Sequence, residues 1–128
     1  MDRQLFVDRL LETENLTDRL EDPDADYLLK WGLANIDGLI NGVPDEAEAG
    51  DRINRLMHVM RALNSAAGGS PGVRRDALVD LLDRFGQMTG EGMHVAETEY
   101  RSVAERVSKM NSHEALVYLT EWLDGKRL

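Results

Sequence analysis

Apolar residues recur along this chain at spacings of three and four, and no stretch alternates apolar and polar positions with β-branched enrichment. A repeat near 3.6 gathers such residues on one side of an α-helix, so the pattern predicts an all-α protein. A first helix is expected near Arg3–Thr13 with Leu5, Phe6 and Leu10 turned inward, then a short helical turn carrying Leu16 and Leu20. Asp22-Pro23-Asp24 reads as the start of a second. Asp22 can cap a backbone N–H, Pro23 suits a first helical position that needs no donor, and Asp24 and Asp26 favour the positive end of the helix dipole. Its apolar stripe is Ala25, Leu28, Leu29, Gly32, Ile36 and Ile40, with an end between Asp37-Gly38 and Asn41-Gly42.

Pro44 with Asp45, Glu46 and Glu48 opens a third helix, whose core face reads Ile53, Leu56, Met57, Met60, Leu63 and Ala67 before Gly68-Gly69. Asn64 lies on the same stripe, where a buried amide must find partners, so it is expected to bond to a neighbouring helix and help set register. Ser70-Pro71 starts a fourth helix through Leu78, Leu81, Leu82, Phe85 and Met88, closed by Gly86, Gly90 and Gly92. A fifth, near 93–110, spaces Ala96, Tyr100, Val103, Val107 and Met110 as a helix-packing seam. Asn111 or Ser112 caps a sixth, which turns Leu116, Leu119, Trp122 and Leu123 one way and is expected to stop at Gly125. The expected architecture is a single-domain bundle of five to six helices packed as antiparallel hairpins.

Composition narrows the chemistry. The chain has 128 residues, enough for one core, and 30% charged against 42% hydrophobic residues, unlike a disordered or membrane-spanning chain. It lacks cysteine, which removes disulfides, thiolate nucleophiles and Cys-based metal sites. The N-terminal residues carry no basic stretch followed by an apolar run, so a cytoplasmic protein with no membrane segment is expected. The formal charge is -9, and the whole deficit falls in residues 1–50, which hold 13 acids and 4 bases. Nucleic acid is disfavoured as a partner, because binding phosphates needs a basic surface.

Several constellations could carry chemistry. Asp22, Asp24 and Asp26 alternate as in a calcium loop, yet Tyr27 stands where that loop needs glycine and Leu33 where it needs a bidentate Glu. Glu91, His94 and Glu97 follow a spacing of three that could align metal ligands on one helical ridge, although neither His58 nor His113 supplies the matching half on a facing helix. Ser70, Arg74 and Arg75 follow paired glycines at a helix start and could bind an anion. The pairs Asp80/Asp83 and Glu121/Asp124 resemble the magnesium-binding carboxylates of helical phosphohydrolases. No nucleophile elbow, zinc-protease helix, P-loop or dinucleotide fingerprint is present.

The second helix carries buriable groups on two sides. Tyr27, Trp31, Ala34 and Gly38 fall opposite Leu29, Ile36 and Ile40, and a wide aromatic beside small residues suits close approach by another helix. That helix belongs either to a partner, including a second copy, or to the same chain, as its first helix or its C-terminal helix. The sequence therefore points to a non-catalytic protein–protein interaction or regulatory module without a cofactor, homodimeric through the Tyr27/Trp31 face. The alternatives are a metal-dependent helical phosphohydrolase using helix-borne carboxylates and an acidic mimic of nucleic acid.

Overall fold

The computed structural model describes residues 2–69, 76–81 and 97–126. These residues form helices α1 (Arg3–Glu12), α2 (Asp22–Ile40), α3 (Glu46–Gly68), α4 (residues 76–81), α5 (Glu97–Ser108) and α6 (Ser112–Lys126), with no strand among them. The protein is an all-α bundle. The expected starts at Ser70-Pro71 and residue 93, and the glycine cluster Gly86 to Gly92, lie outside the described residues.

Side-chain caps open three of the helices. The Asp2 carboxylate accepts the Gln4 N–H, the Asp45 carboxylate the Ala47 N–H, and the Asn111 carbonyl the Glu114 N–H at 2.8 Å. Each satisfies one donor that the first helical turn leaves without a backbone partner. The start of α2 differs from expectation by one residue: Glu21 occupies the capping position without a side-chain bond, and Asp22 and Pro23 are already helical. Proline removes one of the donors that would have needed a cap. At the other end α2 runs to Ile40, and Gly42 adopts φ 75°, the left-handed backbone that ends helices with little cost to glycine.

Three local expectations are corrected. Residues 13–21 form turns rather than a helical turn, with Asn15 at φ 66°, although Leu16 is buried as its spacing implied. Leu5 is 49% exposed because the short α1 buries a single i,i+4 pair, Phe6 and Leu10. Gly125 does not stop α6, which continues to Lys126. One glycine costs a helix only about 1 kcal/mol, less than the packing of α6 restores.

One apolar cluster draws side chains from all six helices, including Phe6, Leu28, Leu56, Leu78, Val107 and Leu119. Contacts between α2 and α3 run in opposite order: Arg52 donates to the Leu39 carbonyl near the connecting turn, and Gly32 faces Met60 further along. A Cβ on Gly32 would lie 2.6 Å from the Met60 sulfur, so the missing side chain lets the thioether fill the space between the helices. Helix α1 lies against both: Arg3 pairs with Asp37 on α2, Arg9 donates to Asn54 on α3 at 2.7 Å, and Thr13 reaches the Met57 sulfur at 3.1 Å.

Candidate functional site

The α2 face singled out in the sequence meets α6 through three polar rungs. At the first, a carboxylate oxygen of Asp24 lies 2.6 Å from Nδ1 of His113. Next, the Tyr27 and Thr120 hydroxyls lie 2.8 Å apart, and then the Trp31 indole N–H reaches the Asp124 carboxylate at 3.2 Å. The partners advance in the same direction along both helices, so α2 and α6 run parallel over this contact.

Proton accounting orders the middle rung. Thr120 Oγ lies 2.9 Å from the Leu116 carbonyl and 3.0 Å from that of Val117, and its single proton goes to one of them. Its lone pairs remain to accept, so Tyr27 donates. Asp24 is 8% exposed and Thr120 fully buried, whereas His113 stands largely in solvent. The imidazole thus gives a carboxylate withdrawn from water a directed partner.

For Tyr27 and Trp31, read as anchors for a second copy or for a helix of the same chain, this geometry supplies a covering helix within the chain. Trp31 is 8% exposed, covered by α6 of its own chain, and Tyr27 is partly buried against the same helix. Ala34 and Gly38 share that face but remain exposed, because they lie about one and two turns beyond Trp31 along α2, past the last rung at Asp124 and the end of α6 at Lys126. Periodicity showed that the α2 face was buriable, but the covering helix lies about ninety residues away in sequence. Of its partners, Thr120 alone carried a local signal, as a hydroxyl among Leu116, Leu119 and Leu123.

The other candidates are distributed differently. Ser70, Arg74, Arg75, Glu91 and His94 lie outside the described residues, while Glu97 opens α5. Of the carboxylate pair Glu121/Asp124, both residues are exposed, and Asp124 accepts the Trp31 indole N–H across to α2. Among the described residues no group of three or more histidine, cysteine or carboxylate side chains could hold a metal ion. Among them, too, no helix is long and apolar enough to cross a membrane.

The acidic half presents a second surface. Twelve of the thirteen acids in residues 1–50 are exposed, Asp24 being the exception. Salt bridges occupy Asp37, Asp26 and Glu48 with Arg3, Lys30 and Arg52. By contrast Glu12, Glu14, Glu21 and Asp22, at the end of α1, in the turns and at the start of α2, form no ion pair among the described residues.

No protein-family model matches the chain, and no curated protein or solved structure matches it significantly.

Proposed function

We propose that the protein is a non-catalytic helical binding module that meets a basic protein partner through the acidic surface around the α1–α2 connection. The supporting observation is the set Glu12, Glu14, Glu21 and Asp22, exposed and without ion pairs among the described residues. Carboxylates left unneutralised at a fixed surface attract cationic partners and speed their encounter. The same charge disfavours a second copy placed face to face here, since identical acidic surfaces repel. With Trp31 covered by α6, the reading rests on a different protein as partner rather than on a homodimer through α2.

The test compares the wild-type chain with a variant carrying Glu12→Gln, Glu14→Gln, Glu21→Gln and Asp22→Asn, each immobilised in host lysate across a salt series. The expected result is a protein retained by wild type at low salt, released as the screening length falls from ~8 Å at physiological salt to ~3 Å at 1 M, and lost by the variant. Equal retention by a variant of unchanged melting temperature would overturn it, as would the absence of any salt-sensitive partner.

A further inference from the structure

Asparagine followed by glycine occurs once in the sequence, at Asn41-Gly42, and the structure places this step where α2 has just ended. Both residues are exposed. The Asn41 N–H bonds the Asp37 carbonyl at 2.9 Å and the Val43 N–H bonds the Ile40 carbonyl at 3.1 Å, so the turn is held on either side. The Gly42 N–H between them has no partner among the described residues. A Cβ built on Gly42 would meet nothing within 4 Å.

We infer that Asn41-Gly42 is a site of intramolecular deamidation in the folded protein. The Gly42 backbone nitrogen gives up its proton and attacks the Asn41 side-chain carbon, Cγ. A new C–N bond closes a five-membered succinimide while the bond from Cγ to Nδ2 breaks, and ammonia leaves with a proton. Water then adds to one of the two ring carbonyls. Opening at Cγ gives aspartate, and opening at the main-chain carbonyl gives an isoaspartyl linkage routed through the side chain. The net change consumes one water and releases one ammonia.

Asn41 has ψ 126°, so ring closure requires the following peptide to rotate toward the side chain. The exposed glycine permits this rotation: it lacks the Cβ that would crowd the attack, and no hydrogen bond has to break at the attacking nitrogen. The Asp-Gly steps offer the contrast. Asp37-Gly38 and Asp124-Gly125 lie inside α2 and α6, where the helix fixes the peptide.

The product has a direction of effect. A carboxylate at position 41 would sit at the negative end of the α2 dipole and close in sequence to Asp45, Glu46 and Glu48 at the start of α3. The isoaspartyl form would also lengthen the backbone of the turn that Arg52 closes through the Leu39 carbonyl.

The test incubates the purified full chain at mildly alkaline pH and physiological temperature, beside an Asn41→Gln variant and a free peptide spanning residues 38–46. Intact mass, peptide mapping and labelling by an isoaspartyl-specific methyltransferase follow the reaction. The expected result is exchange of NH2 for OH confined to the Asn41 peptide, methyl acceptance at that position and a rate comparable to the free peptide's. Neither signal should arise in Asn41→Gln, whose closure would need a larger ring. An unchanged mass, strong protection relative to the peptide, or equal change at Asn15 or Asn111 would overturn the inference.

Discussion

The side-chain carbonyl of Asn64 accepts the backbone N–H of Arg19 at 3.1 Å, fastening the α1–α2 connection to the last turns of α3. Its amide nitrogen donates to the Asp18 carboxylate at 2.7 Å, so one buried side chain grips two consecutive residues of the turn. Gly68, one helical turn further on, is the floor beneath the same segment: a Cβ there would lie 2.5 Å from the Arg19 carbonyl oxygen. The expected bond from Asn64 is thus made, to a turn rather than to a neighbouring helix.

Asn64→Leu should destabilise the protein by about 1–3 kcal/mol, because it removes the acceptor of the Arg19 N–H and the donor to the Asp18 carboxylate in one step. Urea unfolding measures the loss. If the connection is fastened as described, amide hydrogen exchange in residues 13–21 should accelerate more than exchange in α5. A uniform change would refute that local role.

Two glycines should respond oppositely to alanine. At Gly68 the new methyl meets backbone atoms of Arg19, which cannot move without shifting the turn, and a cost of about 1–3 kcal/mol is expected. At Gly32 it meets the sulfur and terminal carbon of Met60, which can swing aside. Gly32→Ala also gains up to about 1 kcal/mol of helix propensity, so a change near zero is expected. Thermal melts of the two variants give the comparison, and a greater loss at Gly32 would contradict it.

These positions mark how far the sequence could be read. The buried stripes of α2, α3 and α6, the start of α2 at Asp22-Pro23 and the end of α3 at Gly68-Gly69 were legible, because each depends on residues within a few turns of one another. The turns at 13–21 were not, since Leu16 and Leu20 are spaced as a helix would space them while tertiary bonds from Asn64 select another backbone. The C-terminal helix was legible as one of two candidates within the chain to cover α2, but the rungs themselves were hidden. Tyr27 and Thr120 are 93 residues apart, and a polar pair leaves no periodic trace.

The middle rung should show coupling. Tyr27→Phe removes the donor and Thr120→Val the acceptor, and each is expected to cost about 0.5–1.5 kcal/mol. The double variant should cost less than their sum, because the second change no longer strands a partner. Additive losses in urea unfolding would mean that the hydroxyls do not interact.

Trp31→Ala should leave a cavity under α6 and destabilise folding by about 3–5 kcal/mol. Trp31→Phe keeps most of the ring and loses the bond to Asp124, so a smaller loss near 1 kcal/mol is expected. Neither should change the molar mass measured by light scattering. A variant that dissociates from a larger wild-type assembly at unchanged stability would restore the α2 face as an interface between copies.

Asn35 poses the opposite case, a buried polar group whose removal should help. It is 4% exposed, and its amide nitrogen donates to the Trp31 carbonyl at 2.7 Å while its carbonyl oxygen has no partner among the described residues. The bond it makes duplicates what the helix already supplies, since the Trp31 carbonyl also accepts from the backbone N–H four residues on. The unmet acceptor carries a desolvation cost of about 1–3 kcal/mol. Asn35→Leu replaces it with an apolar group of similar size on a good helix former, so stability should rise or hold in thermal and urea unfolding. Asn35→Asp should lower it sharply at neutral pH by placing a charge where even a neutral oxygen is unmet. A marked loss in Asn35→Leu, as large as that of Asn64→Leu, would mean that the Asn35 oxygen is satisfied in solution and that the amide belongs to the fold on the same terms as Asn64.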